Sequence, residues 1–330
     1  MTAAALALTL AGGLALGGQP PAQADTAYPP SATADYIAAS FPDVGAGHVF
    51  DVVTIERLVK DVLGVDGQSI VLLGSPKNAT TASALAHIND VAQSWGVEKI
   101  YFFDPNLAGA AGADLTDPSS GAPYANAATG IWATQLAQFS GSGADNLQGA
   151  RLEYIDPAYT SADTYLFVYD RKAGGAAIVD SPATIVSDLR VDAPVSTASA
   201  IAALQADVAQ VFADAGWSPG ATTENAFDQF HFFTSAWTSA APAVDTYANT
   251  AAKFKLQAVT APELINILDT PGTHNIFVSG SWCPDSRGLV AYVAENAYRA
   301  GEPVYVFDFR VAGSIASGFS YTGTEAGGFT

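Results

Sequence analysis

Basic residues are scarce: 13 Lys and Arg stand against 32 Asp and Glu, giving a net charge of −19 over 330 residues. A surface of that sign repels polyanions and anionic headgroups, so nucleic acid is excluded as a partner. Charge of either sign is thin at 14% of residues. The acidic side chains are scattered through Ala-, Ser-, Thr- and Gly-rich sequence, a pattern that describes a solvated surface and names no ligand. Cysteine is nearly absent, and the single Cys283 rules out an internal disulfide. The four histidines, His48, His87, His231 and His274, lack metal-ligand spacing. There is no Gly-rich phosphate loop and no Gly-x-Ser-x-Gly elbow. The Asp114-Leu115-Thr116-Asp117 loop has carboxylates that could hold a weak calcium ion, but it lacks the pattern of an EF-hand and reads as a polar loop. No cofactor or metal is expected.

Against these absences stands a hydrophobic content of 49%, enough for two cores in a chain of this length. Residues 1–24 carry no charged side chain, run apolar from Ala3 to Leu16 and end in Ala22-Gln23-Ala24 before Asp25. That is the pattern of a secretory signal peptide with an A-x-A cleavage site, although a basic n-region is missing. No later segment reaches the length of a membrane span, about 20 apolar residues. The mature protein is therefore expected outside the cell, secreted or at the cell surface, with 25–45 as a linker. An unpaired cysteine in an exported chain suggests a reactive thiol or an intermolecular bond.

An internal repeat organises the rest. Val53-Thr54 to Thr80 lines up without gaps on Val259-Thr260 to Ser286. In both copies a Val-Thr pair precedes a helical pattern, with Thr54 and Thr260 as N-caps and Glu263 completing a capping box. Ile70-Val71-Leu72-Leu73 and Ile276-Phe277-Val278 follow as buried strands, and after a second helix Ile100 to Asp104 matches Val304 to Asp308. Each copy thus reads strand, helix, strand, helix, strand, which implies right-handed crossovers and a parallel core. Copy 1 continues with a helix over 123–139 and two strands, Thr164–Tyr169 and Ala176–Val179, joined as a hairpin. Helices over 197–215 and 223–240 come next, the second with Phe227, Phe230, Phe233 and Trp237 in one stripe.

Directly after the strand of copy 2 stands Ser281-Trp282-Cys283-Pro284-Asp285-Ser286. A thiol at a strand-to-helix junction meets the unpaired N–H groups and the positive end of the helix dipole, which favour the thiolate. The segment resembles the active-site region of the thioredoxin-like superfamily, whose motif is Trp-Cys-x-x-Cys between a strand and a helix. Trp282, Cys283 and Pro284 match, while Ser286 stands where the family has its second, resolving cysteine. With the repeat, the resemblance implies an α/β chain of two thioredoxin-like three-layer units with central mixed sheets. They would span 46–190, without an active-site cysteine, and 251–330, incomplete and carrying Cys283, joined by a helical connector over 191–250.

In copy 1 the alignment sets Lys77 against Cys283, so no thiol chemistry is expected there. Asn78-Ala79-Thr80 spells a glycosylation acceptor, a tripeptide common by chance. Copy 2 stops short of a closing hairpin, and the sequence is expected to be a piece of a longer protein.

Two functional readings follow. In the first, Cys283 attacks protein or small-molecule disulfides and an external thiol resolves the product, because Ser286 cannot. Trp282 walls the site, Pro284 stiffens the first turn, and the charge of Asp285 opposes the thiolate. In the second, the domains are a non-catalytic module binding cell-surface components. A third possibility for Cys283 alone is an ordinary buried core residue.

Overall fold

The structure, a computed structural model, describes residues 34–54, 57–58, 62, 67–104, 162–171, 185–217, 229, 232–233, 254–280 and 283–308. The expected signal peptide, the helix over 123–139, the strand at 176–179, the Asp114–Asp117 loop, His231 and the tail beyond Asp308 lie outside these residues.

The first sheet has five strands: β1 (Phe50–Val52), β2 (Gly67–Leu73), β3 (Ile100–Phe103), β4 (Thr164–Arg171) and β5 (Ile185–Val191), in the order β1-β3-β2-β4-β5. β1, β3 and β2 are parallel, whereas β4 runs antiparallel to both β2 and β5. The central strands are apolar at successive positions because both faces are covered, and Ile70 to Leu73 and Ile100 to Phe103 are all buried. One face, carrying Ile70, Leu72, Ile100, Phe102, Leu166 and Val168, packs with α2 (Ala79–Ser94) and α3 (Ala198–Asp214).

Three local placements are made here. The partner of β4 is Ile185–Val191, whose Ser187, Asp188 and Arg190 hide it from a search for apolar runs. Helix α3, which the sequence left open between finishing the first copy and forming a connector, buries Leu204, Val208, Val211 and Phe212 in the core of the first sheet and packs on α2 and β5. The short helix α1 (Tyr36–Ser40), placed in a linker by sequence, adds Ile37 to the same core.

The second sheet has three parallel strands, β6 (Leu256–Ala258), β7 (Asn275–Val278) and β8 (Val304–Phe307), in the order β6-β8-β7. Helix α4 (Ala261–Asp269) opens with the expected capping box, in which the Thr260 side chain takes the Glu263 N–H and Glu263 takes the Thr260 N–H. Helix α5 (Pro284–Ala300) ends at Gly301, whose φ of 75° is the left-handed conformation that favours glycine. Val290, Ala294 and Ala297 of α5 join Leu256, Ala258 and Val306 in a second core, completed by Phe232 and Phe233. The molecule is α/β, with a mixed five-stranded sheet and a smaller parallel one. No helix of the described residues is long and apolar enough to cross a membrane.

Candidate functional site

The hydrogen bonds that close the two sheets show how the copies correspond. Val53 N donates to Phe102 O and Val259 N to Val306 O, so the copies start in the register of the gapless alignment. At the far end Gly74 N donates to Phe103 O and Ser279 N to Phe307 O. Gly74 therefore corresponds to Ser279, not to Gly280, and the alignment has slipped by one residue. A run that is apolar on both faces carries no period-2 signal to hold its register.

The slip moves the site. Asn78 caps α2 with φ −90° and ψ 122°, and Cys283 caps α5 with φ −91° and ψ 119°. Asn78, rather than Lys77, holds the position of the thiol in the first unit, and Thr81 corresponds to Ser286.

Cys283 is partly exposed at the N-cap of α5. Pro284 and Asp285 are exposed in the first turn, while Ser286, one turn in, is buried at 7% exposure. Trp282 lies outside the described residues. Proline suits the first helical position, where an N–H would lack a partner in any case. The Ser286 hydroxyl and then its backbone N–H favour the thiolate of Cys283. Burial opposes them, the Asp285 N–H assists, and the Asp285 charge opposes; the balance holds the thiol below its ordinary pKa. Sequence reasoning weighed the helix end against Asp285 but missed the Ser286 hydroxyl as the largest influence.

It also missed Ser279. At the end of β7, this buried side chain is hydrogen-bonded to the Ser286 hydroxyl. The pair ties the end of β7 to the first turn of α5 beside the thiol. A signal was present, since a hydroxyl residue ends the strand one turn's reach from the motif, but the slipped alignment matched it with Leu73.

The first unit shows the alternative packing of the same positions. A Cβ on Gly74 would lie 2.9 Å from Thr81 Cγ2 and Oγ1, so threonine at one position requires glycine at the other. Ser279 and Ser286 are the reverse solution, with a side chain on the strand and a smaller one on the helix. Thr81 Oγ1 is committed elsewhere, accepting from Ser75 N at 3.2 Å and lying 2.7 Å from Thr164 Oγ1 at the start of β4. Ser75 Oγ donates to Asp104 at 3.0 Å. These bonds tie the helix start to the sheet and leave no nucleophile at the Asn78 cap. The Asn78 side chain faces the Asp163 carbonyl at 3.5 Å, and the Thr80 hydroxyl donates to Ala162 O at 2.7 Å. The acceptor tripeptide is thus bound into the helix start.

Fold and site together define an α/β protein with a mixed sheet, a smaller parallel sheet and a thiol at a helix N-terminus. No protein-family model matches the chain, and neither does any curated protein or solved structure.

Proposed function

We propose that the chain is a secreted thioredoxin-like protein whose second unit performs monothiol exchange at Cys283. The observation that carries this reading is the partly exposed thiol at the α5 N-cap, where the Ser286 hydroxyl and the helix start lower its pKa from the ordinary value. The strand order of the first sheet, three parallel strands closed by an antiparallel pair, supports the family resemblance. So does the recurrence of the parallel part in the second sheet. Export rests on Ala22-Gln23-Ala24 after the apolar segment.

In the reaction, the Cys283 thiolate attacks one sulfur of a protein or small-molecule disulfide. The new S–S bond joins Cys283 to that half, and the other half leaves as a thiolate. Ser286 cannot displace the adduct, so a second thiol from solution attacks it, is oxidised to a disulfide with the bound half, and frees Cys283. The alternative is a non-catalytic module for cell-surface components, favoured by one observation: the first unit keeps the scaffold with Asn78 at the cap.

The pH profile of Cys283 alkylation, followed by mass spectrometry after incubation with glutathione disulfide, separates the two. Exchange chemistry requires an inflection below that of a free thiol and an adduct that persists until a thiol is added. A normal inflection with no adduct would leave the non-catalytic module standing.

A further inference from the structure

Strand β2 of the first unit is paired antiparallel by β4 along its whole length, ending at Leu73↔Tyr165. The start of β4 is bonded to the start of α2 as well. Asn78 Nδ2 lies 3.5 Å from Asp163 O, Thr80 Oγ1 donates to Ala162 O at 2.7 Å, and Thr81 Oγ1 is 2.7 Å from Thr164 Oγ1. With Gly74 corresponding to Ser279 and Asn78 to Cys283, these three helix positions are Cys283, Asp285 and Ser286, and Leu73 is Val278. In the first unit, therefore, the segment lying against the place of the thiol is the beginning of the strand that covers the sheet edge.

Among the described residues β7 has no partner on that side. Its residues Asn275-Ile276-Phe277-Val278 include no charge and no proline, the usual guards of a sheet edge. The helix beside it is open too. Ala84 and Ile88 of α2 are buried in one core with Leu166 and Val168 of β4, whereas Leu289, in the place of Ala84, is exposed. Leu289 and Val293 line a groove of about 350 Å³ shared with Asn275, Val304 and Glu302. Charge selects what fits here. Asp285 stands where Thr80 donates to a carbonyl, and a carboxylate only accepts. With Glu302 in the groove and a net charge of −19 on the chain, a basic segment is favoured and a second copy is repelled.

We propose that β7 is the docking edge for the substrate of Cys283: an extended, basic, disulfide-bearing segment of another protein adds to it as an antiparallel strand, as β4 adds to β2, and brings its disulfide to the thiol. This rests on the exchange reading of Cys283. In the register of β4, the docked residue in the place of Asp163 lies at Cys283, and apolar side chains in the places of Leu166 and Val168 turn to the helix. The thiolate attacks the sulfur at the Asp163 position, the S–S bond to the other half breaks, and that half leaves as a thiolate. The docked strand stays joined to Cys283 until an external thiol displaces it.

The test uses the intact chain and a synthetic peptide of residues 161–171 with Ala162→Lys and Asp163→Cys, the cysteine carried as a mixed disulfide with nitrothiobenzoate. Release of that chromophore by Cys283 should be about tenfold faster than from the same peptide N-methylated between the places of Tyr165 and Val168, while free glutathione attacks both forms at one rate. Ala162→Glu instead of the lysine should slow the release severalfold, and an equal rate overturns the selection by charge. Hydrogen exchange over 275–278 with an Asp163→Ser peptide reads docking without chemistry: protection should rise with the peptide and not with its N-methylated form. Protection without reaction of either disulfide refutes exchange at Cys283 and upholds the docking edge. Reaction of both forms at one rate, without protection, upholds exchange and overturns the edge. Slow exchange over 275–278 before any peptide is added overturns it as well, and sedimentation then tells a second copy from residues of the same chain as the occupant.

Discussion

At the residue scale the site is a competition among small dipoles around one sulfur. Ser286 was legible as the residue replacing a resolving cysteine, and that reading made it a loss of function. In the structure it is also the largest influence lowering the Cys283 pKa, and its hydroxyl is bonded to Ser279. A role for Ser279 through Ser286 makes it a positioning residue with a measurable signature. Ser286→Ala should raise the Cys283 pKa and slow alkylation at neutral pH severalfold. Ser279→Ala should move the same inflection in the same direction by less, because the hydroxyl of Ser286 remains but loses its partner. An S279A profile superimposable on wild type would remove Ser279 from the site. The slipped alignment illustrates why such a residue is hard to find: strand sequence identifies a buried run, while hydrogen bonds determine which residue ends it.

At the element scale the two copies differ most along one strand. β2 is hydrogen-bonded on its far side by β4, from Gly67↔Arg171 to Leu73↔Tyr165. β7, its counterpart, is an edge among the described residues. Val278 is 58% exposed there, and Leu289 and Tyr292 of the adjacent α5 are 52% and 65% exposed. An unpaired edge exposes backbone groups to water and shortens the path to local opening. Hydrogen exchange should therefore find β6 to β8 opening at lower free energy than β2 and β3. Equal protection would mean that residues outside those described cover the β7 edge. The helices were easier to read than the strands, since Thr260, Glu263 and Pro284 are local signals whose partners lie within one turn.

At the scale of the whole molecule, division into units depends on which core each helix enters. α3 follows the hairpin in sequence, and its apolar stripe was visible, but a stripe does not say which sheet it covers. The structure seats Phe212 in the first core, with its ring centroid 5.9 Å from that of Trp95. Phe212→Ala should cost about 3–5 kcal/mol, as truncation of a buried aromatic does. Denaturation read at the first unit should register that loss. A loss confined to the second unit, or none, would return α3 to the role of a connector.

The amino-acid sequence by itself determined the repeat, the alternation of helices and strands, the helix caps and the position of a lone thiol at a helix start. All of these depend on residues within a turn or a strand of one another, where periodicity and capping chemistry act. Tertiary structure alone decided that Asn78 corresponds to Cys283, that Ser279 reaches Ser286, that Ile185–Val191 pairs with β4, and that α1 and α3 belong to the first core. Each of these depends on strand register or on which face a segment covers, and local periodicity specifies neither.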